Sequence, residues 1–152
     1  MSLTTATPDT VQFPETHYVF IEKTGPFQNI APQCWQDLHK IIPSISTHNT
    51  IEKYFSLYNG GKHIYRAGVS LSAPPSSLPE GVQYEKVPGG KYGRFILTGP
   101  YSQLPDASRR VSEIVAEKKI PVREGFNIEN YINDPRTTPE ADLITEIMFP
   151  MA

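Results

Sequence analysis

Thr24-Gly25-Pro26-Phe27 recurs as Thr98-Gly99-Pro100-Tyr101, 74 positions later, and this recurrence decides how the 152-residue chain is read. The same displacement sets Tyr18 over Tyr92 upstream. Downstream it sets the segment 54–59 (Tyr-Phe-Ser-Leu-Tyr-Asn) over 128–133 (Ile-Glu-Asn-Tyr-Ile-Asn). Agreement at three places points to an internal duplication. A solenoid needs roughly three or more units, so two copies are expected to pack on each other as one pseudo-symmetric domain.

Each copy gives the same order of elements. Tyr18-Val19-Phe20-Ile21 is a β-rich run closed by Thr-Gly-Pro, where glycine supplies the turn and proline the helix entry. Ile30, Cys34, Trp35, Leu38 and Ile41 then recur every three or four residues, which predicts a helix over 30–42 that Pro43 stops. Leu104, Ala107, Val111, Ile114 and Val115 repeat the pattern up to Pro121. After the first helix come strands 54–59 and 64–72, joined through Asn59-Gly60-Gly61-Lys62, a tight-hairpin composition. After the second come strands 125–132 and 143–149, joined by a longer loop carrying Pro135 and Pro139. A further strand over 81–87 turns through Pro88-Gly89-Gly90 into 91–97. The reading is an α+β fold: a β-α-β-β unit present twice, with mainly antiparallel sheet and two helices on one face. Repeat one covers about 10–73, a proline-rich linker about 74–80, and repeat two about 81–150, within a single domain across 1–152.

Composition narrows the function. Hydrophobic residues are 38% of the chain and none of their runs approaches the roughly 18 a membrane span needs, so no membrane partner is expected. The N-terminal residues lack a basic segment followed by an apolar one, and the lone Cys34 excludes an internal disulfide; a soluble, cytoplasmic protein is the expectation. A formal charge of −2 without a basic cluster gives no footprint for direct nucleic-acid binding. His17, His39, His48 and His63 are scattered at spacings that suit no metal, and no cofactor motif occurs. Eight tyrosines, seven phenylalanines and one tryptophan exceed what a small core requires, so some rings are expected to line a cavity.

The second half resembles the GyrI-like small-molecule-binding domain, the effector-binding domain of bacterial transcription activators. The segments that carry the resemblance are Val87-Pro88-Gly89-Gly90-Lys91-Tyr92, Thr98-Gly99-Pro100-Tyr101, Tyr131-Ile132-Asn133-Asp134-Pro135 and Leu143-Ile144-Thr145-Glu146-Ile147-Met148-Phe149-Pro150. Thr24-Gly25-Pro26-Phe27 and Trp35 support it in the first half. The resemblance implies a concave sheet that takes small hydrophobic, often cationic and aromatic, compounds in a groove between the repeats. The length leaves no room for a DNA-binding domain beside the two repeats, so the stand-alone form is implied. It leaves two alternatives open. One is a hydrolase of cyclopropane-bearing or other electrophilic genotoxins in the same pocket; the other is a module restraining a partner such as DNA gyrase or serving a separately encoded regulator.

Glu146 is the first candidate. Alternation puts it on one face with Ile144 and Met148, aiming an acid where its neighbours are apolar, and the resemblance places a ligand-facing acid on this last strand. In the hydrolytic alternative Glu146 is the catalytic acid or base. Glu129 and Tyr131 share one face of their strand, and Tyr58 occupies the hairpin region of the other copy. Tyrosine faces offer flat walls that attract cations, against the plainer reading of cross-strand packing. Tyr101 follows the repeated turn and Trp35 sits at core spacing on its helix; both complete the candidate ligand-binding set.

Overall fold

Gly25 and Gly99 hold φ values of 135° and 141°, a left-handed conformation open to glycine, and each is followed by an extended proline that starts a helical turn. The repeated tetrapeptide is therefore one structural device used twice. In each case the glycine N–H donates across to a partner strand end, Gly25 to the His63 carbonyl at 2.9 Å and Gly99 to the Leu143 carbonyl at 2.8 Å.

The computed structural model describes residues 7–152. Its elements in chain order are β1 (Asp9–Phe13), β2 (Thr16–Thr24), α1 (Phe27–Ser46), β3 (Ile51–Asn59), β4 (Ile64–Leu71), β5 (Gln83–Val87), β6 (Gly90–Thr98), a 3-10 turn (Tyr101–Gln103), α2 (Leu104–Glu117), β7 (Asn127–Tyr131), a second 3-10 turn (Glu140–Asp142) and β8 (Ile144–Pro150). The fold is α+β and the β-α-β-β unit is present twice. Two compact units are formed, Pro14–Gly89 and β1 with Gly90–Ala152. Strands in the first run β5-β2-β4-β3 and in the second β1-β6-β8-β7, with antiparallel pairing throughout each.

Strand 81–87 of repeat two is β5 and pairs with β2 of repeat one, and β1 pairs with β6. Each copy's leading strand joins the other copy's sheet. The physical reason lies in the connections: Pro14 and Pro88 directly follow the leading strands, and proline ends a ladder because it cannot donate to it. An ion pair ties each edge strand down, Arg94 to Asp9 on β1 at 3.4 Å and Arg66 to Glu85 on β5.

In Pro14–Gly89 the core lies between the sheet and α1, where Val19, Leu38, Ile45, Ala67 and Val69 are wholly buried. Pro43 does not stop the helix as expected; α1 continues to Ser46 because burying Ile45 outweighs the hydrogen bond Pro43 cannot make. In the other unit Phe95, Leu97, Ala107, Val111, Ile114 and Ile147 fill the same role against α2. That helix ends at Glu117, before Pro121, and Lys119 just beyond it holds a φ of 52°.

Cys34 sits at the centre of the α1 core, and desolvation pushes its thiol from 9.0 up to about 11. A thiol raised in the fold adds stability that is complete below pH 9.0 and lost as the pH climbs through about 11. Burial raises the Tyr18 phenol too, well above its ordinary 10.0, and works in the same direction. We expect denaturant melts to show stability falling between about pH 9 and 11, with a smaller fall in Cys34→Ala. At pH 8, thiol reagents should label the native chain far more slowly than the unfolded one.

Candidate functional site

Strand alternation sorts the candidate residues onto two faces. Pairing of β7 with β8 sets Ile128 opposite Met148, Glu129 opposite Ile147, Asn130 opposite Glu146 and Tyr131 opposite Thr145. Ile147 packs against α2, so Glu129, Tyr131 and Thr145 face that helix, while Asn130 and Glu146 face the other way. The expected meeting of Glu146 with Glu129 and Tyr131 does not occur. Residues an odd number of positions apart cannot share a face of one strand, and the register carries that rule across the pair: Glu146 lies opposite Asn130, between Glu129 and Tyr131.

On the face away from α2, the Glu146 carboxylate accepts hydrogen bonds from the Arg94 Nη1 at 3.0 Å and the Asn130 Nδ2 at 2.9 Å. Arg94 reaches on to Asp9, giving a network that crosses β7, β8, β6 and β1. A carboxylate already paired with a guanidinium has its charge met inside the fold. Glu146 acts here as a cross-strand tie.

On the α2 face, Glu129 is a buried acid with 9% of its surface exposed. Its Oε1 accepts from the Tyr131 hydroxyl at 3.0 Å and its Oε2 from the Ser108 hydroxyl at 3.3 Å. Tyr101, set down by the Gly99-Pro100 turn, packs on the Tyr131 ring at 5.3 Å and 60°. Burial raises the Tyr101 phenol, with the Asp134 charge adding to the effect. This corner combines a carboxyl held by hydroxyls with two phenol rings. Chemically it offers an acid at low exposure and flat aromatic walls, groups suited to a hydrophobic cation. Ser108 escaped the sequence reading. Its signal was its place one turn after Leu104 and three residues before Val111, inside the buried stripe of α2.

The other two candidates lie in Pro14–Gly89, on the α1 side of its sheet. Tyr58 is buried and meets Phe27 edge to face at 5.9 Å and 82°. Trp35 packs against the α1 core and donates its indole N–H to the Tyr65 hydroxyl at 2.9 Å. Phe27 with Tyr58 thus occupies in one unit the place of Tyr101 with Tyr131 in the other. This makes Tyr58 the counterpart of Tyr131, a displacement of 73, where the sequence alignment had used 74 and set Tyr58 over Ile132. Among the described residues no group of three or more His, Cys, Asp or Glu is placed to hold a metal ion, and no helix is long and apolar enough to cross a membrane.

No curated protein matches the chain. Solved structures do. The C-terminal domain of EcmrR aligns with a TM-score of 0.79 at 16% identity, covering 95% of this chain and 96% of that one. SAV2435, whose structure holds bound tetraphenylphosphonium, aligns with a TM-score of 0.70 at 16% identity over 95% and 93%. A hydrolase from Listeria innocua aligns with a TM-score of 0.60 at 12% identity over 95% and 91%. At these identities the likeness is one of fold. The sequence itself matches a family profile across residues 6–152, so the chain belongs to the GyrI-like small molecule binding domain family.

Proposed function

We propose that this chain captures a small hydrophobic cation on the α2 face of β7 and β8, with Glu129 meeting the charge and Tyr131 and Tyr101 forming the wall. The observation that carries the reading is the Glu129 carboxyl, 9% exposed, bonded by the hydroxyls of Tyr131 and Ser108 beside two phenol rings. A buried carboxylate favours a cation that reaches it, and phenol faces reward a flat apolar one. The tetraphenylphosphonium bound to SAV2435, on the same fold, supports the choice of ligand class.

The test is a calorimetric titration of the chain with tetraphenylphosphonium and, separately, with neutral triphenylphosphine oxide. The cation is expected to bind at least about 10-fold more tightly than the neutral compound and to raise the melting temperature by mass action. Equal affinity for both, or none for the cation, contradicts the reading. Mass analysis of the recovered compound separates capture from turnover: a binding domain returns it unchanged.

A further inference from the structure

Thr145 lies on the same face as Glu129 and directly across from Tyr131 on one side and Leu97 on the other. It is wholly buried, and its hydroxyl has no hydrogen-bond partner among the described residues. A buried hydroxyl left unpaired opposes folding, and valine has the same shape without it. Packing alone therefore gives no reason for threonine here. The neighbouring hydroxyl of Tyr131 is committed to Glu129, so the α2 face presents an acid and an unsatisfied hydroxyl at diagonal cross-strand positions. Such positions are about 7–8 Å apart along the backbone. A glutamate side chain and one ammonium with hydrogen bonds of about 2.9 Å on either side span that gap.

We infer that Thr145 is a specificity-determining contact whose hydroxyl accepts a hydrogen bond from a ligand N–H, so that this site favours protonated primary or secondary amines on an aromatic body over permanently charged cations. The inference rests on the cation-capture reading and names its substrate class more narrowly. An ammonium donates at once to Glu129 and to Thr145. A phosphonium or quaternary ammonium meets the charge and leaves the hydroxyl unpaired. Tyr131 stands across from Thr145 and its hydroxyl bonds Glu129, so a ligand that reaches both groups has to displace this side chain.

The experiment uses three probes on the full chain at pH 7: 3,3-diphenylpropylamine, its N,N,N-trimethyl derivative and tetraphenylphosphonium. Wild type should prefer the primary amine over the trimethyl compound by at least about 10-fold. Thr145→Val should shrink that preference several-fold, leaving the part due to the amine's bond to Glu129, bind tetraphenylphosphonium as wild type does, and melt no lower than wild type. Thr145→Ser keeps the hydroxyl and should keep the preference, which separates loss of the hydroxyl from damage to packing. Tetraphenylphosphonium binding without an amine preference, or a preference undiminished in Thr145→Val, overturns the inference and leaves the cation site standing. Binding of none of the three overturns the cation site and the inference with it.

Discussion

Glu129→Gln lowers the affinity for tetraphenylphosphonium by at least about 10-fold, or ~1.4 kcal/mol, while Glu146→Gln leaves it within about 2-fold. The contrast follows from what each carboxyl does in the fold. Glu129 is the acid on the α2 face, among Ser108, Tyr131 and Tyr101. Removing one member of a buried charge pair costs about 2–5 kcal/mol in well-formed complexes, so a 10-fold loss is the low end of the expectation. Glutamine keeps the size and the acceptor oxygen for one hydroxyl, which confines the change to charge. Glu146 is on the opposite face with Arg94 and Asn130, and its loss falls on stability instead. Breaking hydrogen bonds that involve charged groups is expected to cost about 1–3 kcal/mol there. Titrations of both variants, with their melts recorded alongside, give the two effects in one set of measurements. Equal losses of affinity would place the charge recognition elsewhere.

Gly68→Ala produces a large loss of stability from adding a single methyl group. A Cβ at Gly68 would lie 2.4 Å from the Tyr18 ring, closer than any real contact allows. Tyr18 has nowhere to go: its ring stacks on Phe55 at 4.4 Å and Phe20 at 5.2 Å, and its hydroxyl donates to the Phe55 carbonyl at 2.8 Å. Overpacking costs about 1–3 kcal/mol, and losing the buried hydroxyl's hydrogen bond adds about 1 kcal/mol. For a domain of this size that is a drop in melting temperature of roughly 6–12 °C. Gly60→Ala is the control, with open space around it, and should change little. In a double-mutant cycle with Tyr18→Leu, the cost of Gly68→Ala should largely disappear, because the two groups compete for one volume. Additive losses would show that the glycine serves some other purpose.

The sequence carried the element order because turn chemistry and periodicity are local. Thr-Gly-Pro twice, two apolar stripes and a hairpin dipeptide each declare themselves within a few residues. The leading strand β1 was missed although its signal exists: Phe13-Pro14 and Val87-Pro88 recur at the same 74-residue displacement as the turn. Which sheet each leading strand joins depends on long-range pairing, which no local pattern encodes. The one-residue slip between Tyr58 and Tyr131 has a similar origin. The copies differ in length between turn and following strand, and a period of two turns a single residue into a change of face.

The site was legible residue by residue but not as a constellation. Alternation on β8 correctly put Glu146 with Ile144 and Met148, and alternation on β7 correctly put Glu129 with Tyr131. What the sequence lacked was the register between the two strands, which separates the acids onto opposite faces. Arg94 as the partner of Glu146 was likewise invisible, since the two are 52 residues apart and meet only through β6 and β8.

The most direct measurement is a crystal structure of the chain grown with tetraphenylphosphonium. The account predicts the cation on the α2 face of β7 and β8, its phosphorus within about 6 Å of a Tyr131 or Tyr101 ring and Glu129 the nearest carboxylate. A cation seated beside Glu146 on the other face, or in contact with neither acid, would contradict it.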